Sequence, residues 1–224
     1  MNEEIIFRKS GLRIIIKPMP FVKTLIEKGV LKTPLIMKVF RTINRENFIP
    51  QENKQLAKEN LALPIGYNQT ISQPLVVAFM LEQLKPQKGD KILDIGSGSG
   101  WTTALLGEIV RPKGKVIAIE LIPELKKFGE ENVAKYGLIE EGTVKFLCKD
   151  GTKGCKEEAP FDKILCSASA EKDIPCAWKE QLKIGGRIVT PIGSSIWLFV
   201  KKSEKEFEEI EYPGFVFVPL IEDK

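Results

Sequence analysis

No histidine occurs anywhere in this sequence. That absence excludes Ser-His-Asp and Cys-His catalysis and any imidazole base near neutral pH, so chemistry here must use another base or none. Cysteine is scarce as well. Cys148, Cys155, Cys166 and Cys176 are spaced by 7, 11 and 10 residues, which makes no CxxC pair, and no histidine is present to complete a mixed metal site. Reduced, partly buried thiols and no bound metal are the expectation.

Long apolar runs are missing too. The N-terminal stretch MNEEIIFRKSGLRIIIKPMP starts acidic, and its longest apolar run, Ile14 to Ile16 with Leu12 nearby, is too short for a signal segment or a membrane span. The sequence therefore predicts a cytoplasmic protein without a membrane partner. A clustered basic tract is also lacking: 34 basic and 30 acidic residues give a net charge of +4 spread along the chain, so no nucleic-acid partner is expected. With 43% hydrophobic and 29% charged residues, disorder and collagen-like repeats are poor fits. The 224 residues suit one domain and one core, and a monomer is expected. Residues 1–60 read as a mainly helical N-terminal extension and 61–224 as the core.

What is present is a rhythm. Residues 20–50 carry apolar residues at helical spacing, Val22, Leu25 and Ile26, then Leu35, Ile36, Val39 and Phe40, separated by Gly29 and Pro34. After LALPIGYNQTISQP the apolar stretch LVVAFMLEQL predicts a buried helix closed by Lys85-Pro86. Strands KILDIG, KVIAIE, VKFLCKD, DKILCSAS and GGRIVTPIG then alternate with helical segments. This is the pattern of a doubly wound, mostly parallel α/β sheet, a Rossmann-like fold. IWLFVKK and EFEEIEY break the rhythm and predict antiparallel C-terminal strands.

In DIGSGSGW, Asp94 precedes Gly96, Ser97, Gly98 and Gly100 between a strand and a helix, where small residues let backbone amides approach a ligand. The dinucleotide fingerprint GxGxxG would need glycine at position 101, which is Trp101, and no lysine follows as a P-loop requires. A carboxylate at Asp94 would repel a pyrophosphate but attract an ammonium or sulfonium group, both of which S-adenosylmethionine carries. Glu120 ends the next strand, where it can accept ribose hydroxyls. Asp150, with Gly151 beside it, ends the third, placed to meet an adenine amino group. Each carboxylate alone is more readily a helix cap or a solvent-facing loop residue; the three with the glycine loop point to the cofactor. Trp101, Trp178 and Trp197 read as packing residues.

LPIGYNQTISQP, ILDIGSGSGWTT, VIAIELIPEL, KDGTKG, EEAPFDKI, QLKIGGRIVTPIG and FVFVPL, in that order, resemble the protein-L-isoaspartate O-methyltransferase family from about Leu25 to Leu220. The glycine loop is shared by many class I S-adenosylmethionine methyltransferases, whereas Gln-Thr-Ile-Ser just upstream of it marks this family. The resemblance implies methyl esterification of the free α-carboxyl of isoaspartyl residues in damaged proteins and peptides. It assigns catalysis to Ser72, puts Gln69, Thr70 and Ile71 in the wall between substrate and cofactor, and makes Gly96, Glu120, Asp150 and Gly151 cofactor positions. A carboxylate nucleophile is already deprotonated at neutral pH, which suits a chain without histidine. Ser72 would orient that carboxylate by a hydrogen bond, alongside a role as helix N-cap ahead of Pro74.

The chain departs from the family pattern at Asn68, where glycine is usual, and at Asn60, where an acidic residue is common. CSASA replaces a run of small residues, and Val216 and Ile221 replace an arginine and a threonine. All are expected beside the substrate site, with the cofactor site intact. Two alternatives stay open: a relative that methylates another carboxylate, RNA or a small molecule, and a cofactor-binding fold without turnover. The tRNA adenine methyltransferases share the sheet and the glycine loop but not Gln-Thr-Ile-Ser.

Overall fold

A computed structural model of the chain describes residues 5–9, 12–16 and 19–222. The N-terminal region is helical from Pro20, as its spacing predicts, but an antiparallel pair precedes the helices: β1 (Ile5–Lys9) with β2 (Leu12–Ile16). Helices α1 (Pro20–Glu27) and α2 (Pro34–Thr42) each begin on a proline, whose fixed φ suits the first helical turn. Two short 3-10 turns follow, at Arg45–Phe48 and Gln51–Leu56.

A small hairpin comes next, β3 (Leu63–Gly66) and β4 (Gln69–Ile71), leading into helix α3 (Pro74–Leu84). The remaining elements are β5 (Lys91–Ile95), α4 (Trp101–Val110), β6 (Lys115–Glu120), α5 (Pro123–Ala134), β7 (Val144–Cys148), β8 (Phe161–Cys166), α6 (Cys176–Gln181), β9 (Leu182–Ile192), β10 (Ser195–Lys201) and β11 (Phe207–Pro213).

The main sheet has seven strands in the order β11-β10-β9-β8-β5-β6-β7. Strands β7, β6, β5, β8 and β9 are parallel, and β10 and β11 add antiparallel at one edge, as the sequence predicts. The central strands β5 and β6 are buried on both faces from Ile92 and Val116 onward, which explains their unbroken apolar runs. Alternation along β5 splits the core in two. Ile92 belongs to the layer under α3, α4, α5 and the N-terminal helices, whereas Leu93 and Ile95 join Phe161 and Trp178 on the opposite face. The outer strand β11, FEEIEYP, is charged and half exposed, which discourages pairing with another chain.

β6 lies on one side of β5 and β8 on the other, so connections leave the β5 end in opposite directions. A crevice opens at such a switch point, outside the carboxyl ends of the strands. The N-terminal helices close its flank: Phe21 and Phe40 set their rings edge-on against Trp101, at centroid distances of 6.4 and 5.7 Å.

Candidate active site

At the carboxyl end of β5 lies a cleft of about 790 Å³, open to solvent. Its floor is the glycine loop, Gly96 to Ser99. One wall is the hairpin with the residue after it, Gln69 to Ser72; the other carries Glu120 to Ile122 and Gly151; Val218 to Ile221 form the roof. The roof is held by backbone pairing, Ser169 N–H to the Val218 carbonyl and Leu220 N–H to the Ser169 carbonyl, both at 2.8 Å.

The hairpin sits directly on the glycine loop, since a Cβ at Gly98 would come within 3.2 Å of Ile65 Cδ1. Its two-residue turn has Tyr67 at φ 53° and Asn68 at φ 57°, the left-handed pair that a tight hairpin demands. Asn68 therefore replaces the usual glycine with the residue type best suited, after glycine, to that backbone. The departure is a matter of turn geometry.

The loop uses its own donors internally. Gly96 and Ser97 N–H groups reach the Ile119 carbonyl at 2.9 and 3.1 Å, and Gly100 N–H reaches Ser97. Gly98 N–H donates to Glu120 Oε2 at 2.8 Å, while Ile122 N–H donates to Oε1 at 3.0 Å. The loop thus supplies close backbone approach more than free amides, and Glu120 fastens the floor to the wall. The tight packing that a third fingerprint glycine would give comes from α5: a Cβ at Gly129 would lie 2.6 Å from the Gly98 carbonyl.

Of the three carboxylates singled out from the sequence, only Glu120 lines the cleft. Asp94 is fully buried beneath α4, where Thr103 Oγ1 donates to its Oδ2 at 2.6 Å and its Oδ1 has no partner. Burial, with Glu120's charge adding to it against the Thr103 hydrogen bond, pushes the Asp94 carboxyl up to about 7. Asp150 caps the next turn, its Oδ1 accepting from the Thr152 amide and hydroxyl at 2.8 and 2.7 Å, and Lys153 Nζ lies 3.3 Å from its Oδ2. Gly100 also sits behind the floor, against the Gly129 carbonyl.

Ser72 faces a second compartment as well. This compartment, open to solvent, encloses about 730 Å³ with its mouth included, and Thr70, Ser72, Ser167 and Val218 form walls of both. Among the side chains lining it, Thr70, Ser72, Gln73 and Ser167 are polar and none is ionisable. Val216 stands at its edge, 91% exposed. Ile221 lines the first cleft instead, the region that the sequence reading expected to hold the cofactor and to be unaltered.

Ser72 does not cap the helix that follows. The N-cap of α3 is Gln73, which makes no side-chain cap bond. Asn60 caps α3 from a distance, accepting the Leu75 amide on its Oδ1 at 2.9 Å, while Gln73 Nε2 donates to the Asn60 carbonyl at 2.8 Å. An asparagine oxygen does here what a carboxylate would do, which accounts for the departure at that position.

Four features escaped the sequence reading: Asn60 as a cap, Ser167 in the shared wall, Arg45 beneath the hairpin, and Trp101 as a cleft residue. Trp101 packs against Phe21 and Phe40 as predicted, yet it also lines the cleft, and its Nε1 is buried without a partner. Ser167, the first serine of CSASA, and Asn60 each carried a local signal as a departure from the family pattern, though neither departure gave the role. Among the described residues, no three metal-ligating side chains cluster and no helix is long and apolar enough to cross a membrane.

A family model described as Protein-L-isoaspartate(D-aspartate) O-methyltransferase (PCMT) matches residues 18–224. The protein-L-isoaspartate O-methyltransferase of Methanopyrus kandleri is 38% identical over 224 residues, covering 98% of this chain and 95% of that one. The one from Aeropyrum pernix is 41% identical over 222 residues, covering 96% and 80%. A solved protein-L-isoaspartate O-methyltransferase aligns with a TM-score of 0.79 at 28% identity over 88% of this chain, which spans only 64% of that longer structure. A Plasmodium falciparum protein solved with S-adenosyl-L-homocysteine shares the fold, with a TM-score of 0.80 at 21% identity over 92% and 99% of the two chains. The family match extends over the floor, the hairpin wall and the roof of one continuous site, and the chain belongs to the protein-L-isoaspartate(D-aspartate) O-methyltransferase family.

Proposed function

We propose that this chain uses S-adenosylmethionine to esterify the free α-carboxyl of L-isoaspartyl residues in damaged proteins and peptides. One observation carries the reading: Ser72 lies on the wall shared by the two compartments, its hydroxyl without a hydrogen-bond partner among the described residues. A side chain so placed can meet a carboxylate entering from one side and a methyl donor held on the other.

The lining of the cleft fits the cofactor in its chemistry. Ser97 Oγ and Trp101 Nε1 are buried on its lining without partners, and such orphaned donors ask for a ligand. Glu120 accepts one amide on each oxygen and retains lone pairs for ribose hydroxyls. Gly96, Ser97, Gly98 and Gly151, with Gln69, Thr70 and Ile71 on the hairpin, would hold the cofactor, which supplies an electrophilic methyl group on sulfonium. Asp94, Gly100 and Asp150 would support the floor and its edge from behind.

The chain's own part is alignment. The substrate carboxylate is ionised at neutral pH and needs no base. The Ser72 hydroxyl donates to one of its oxygens and aims the other across the shared wall, with Thr70 and Ser167 as further hydroxyls on that wall. Hydrogen bonds to a charged group in a partly desolvated site are stronger than neutral ones, so neutral donors suffice to hold the carboxylate. We further take the chain to act as a single-domain monomer in the cytoplasm, on protein and not on nucleic acid, consistent with its charge balance.

The test pairs calorimetry of S-adenosylmethionine binding with methyl transfer to an isoaspartyl peptide and its aspartyl twin. Transfer to the isoaspartyl peptide alone is expected. Cofactor binding with transfer to neither peptide would end this reading.

A further inference from the structure

Arg45 is fully buried, with no carboxylate partner among the described residues. Its Nη1 donates to the carbonyls of Ala57 and Glu59 at 3.3 and 3.2 Å, and its Nη2 to those of Leu61 and Ser72 at 2.7 and 3.2 Å. Its guanidinium carbon lies 5.2 Å from the centroid of the Trp101 ring. Burial alone lowers its pKa to about 10, so it stays protonated at neutral pH. A buried cation compensated only by carbonyl dipoles and an aromatic face is an expensive way to fill space.

The carbonyls it gathers are not scattered. Leu61 lies just before the hairpin and Ser72 just after it, while Trp101 is the first residue of α4, directly behind the glycine loop. One rigid side chain therefore ties both ends of the hairpin to the helix that carries the cofactor floor. The planar fork makes this possible, because four acceptors can be met at once while the guanidinium carbon stays over the Trp101 ring.

We propose that Arg45 is a positioning residue: by holding the Ser72 carbonyl and the Trp101 ring together, it sets where the Ser72 hydroxyl stands relative to the cofactor. The proposal rests on the reading of Ser72 above. Lysine at this position keeps the charge and loses the fork, so Arg45→Lys isolates the geometry.

The experiment has two arms. Kinetics on the isoaspartyl peptide are measured for wild type, Ser72→Ala, Arg45→Lys and the double variant. Arg45→Lys is expected to lower kcat at least tenfold with the cofactor KM changed less than about threefold, and to add less than about twofold once Ser72 is alanine, because interacting residues are non-additive. Full additivity, or an unchanged kcat in Arg45→Lys, overturns the proposal. Amide exchange, which needs no turnover, is compared in wild type, Arg45→Lys and Arg45→Met. Exchange at least tenfold faster in residues 69–75 and 98–103, with β9 and β10 unaffected, supports the proposal; unchanged or uniformly faster exchange overturns it. An inactive wild type would instead count against the isoaspartyl reading and leave the exchange arm to decide on Arg45.

Discussion

Asn60 Oδ1 accepts the backbone N–H of Leu75 at 2.9 Å, which makes a residue 15 positions upstream the cap of helix α3. A local cap would have needed the side chain of Gln73 or Ser72; the long-range cap leaves the Ser72 hydroxyl unused by the helix.

Asn60→Ala removes that acceptor and should destabilise the chain by about 1 kcal/mol, the usual worth of an N-cap. Asn60→Asp keeps the acceptor, adds a favourable charge at the helix N-terminus and should be at least as stable as wild type. Urea denaturation of both variants checks this. A stable Asn60→Ala would show that the α3 amides are satisfied elsewhere.

Ser72→Ala should lower turnover on an isoaspartyl peptide by about ten- to a hundredfold, the equivalent of one hydrogen bond to a charged group, ~1.5–3 kcal/mol. Cofactor affinity should stay within about twofold, because the hydroxyl is only one part of the shared wall. Steady-state kinetics with calorimetry separates the two effects. Equal losses in both would make Ser72 a cofactor residue.

Asn68→Gly should leave stability within about 0.5 kcal/mol of wild type and turnover unchanged, because glycine adopts the same left-handed turn. Asn68→Val, which resists positive φ, should lose about 1–2 kcal/mol. A change of peptide preference in Asn68→Gly would return the side chain to the specificity question.

Asp94 gives stability a pH dependence of defined sign. Its carboxyl is raised by burial from 3.8 to about 7. The folded chain therefore keeps a proton that the unfolded chain has released through that window. Stability from this group is present at low pH and declines as pH rises from about 4 to about 7, by on the order of a few kcal/mol. Asp94→Asn should remove that decline. The wild-type minus variant difference in unfolding free energy, followed across the window, measures it; parallel curves would show that Asp94 is ionised throughout.

Much of the fold was legible because it is local. The parallel strands are apolar runs bounded by turn residues, the glycine loop and the Gln-Thr-Ile-Ser wall are each one short uninterrupted motif, and Glu120 ends a readable strand. The rest depends on contacts over long distances. Nothing near Arg45 announces that its fork will close on carbonyls 12 to 27 residues away. Asp94 and Asp150 were placed correctly at strand ends, but strand-end position cannot distinguish a side chain that turns under a helix or caps the next turn from one that faces the crevice.

The second compartment has walls of hydroxyls, an amide and hydrocarbon, with no ionisable side chain among them. Added salt has no fixed charge to screen there. Recognition of an anionic group in such a chamber depends on hydrogen-bond direction and shape, and should hold its strength at ionic strengths that would dissolve a lysine- or arginine-based grip.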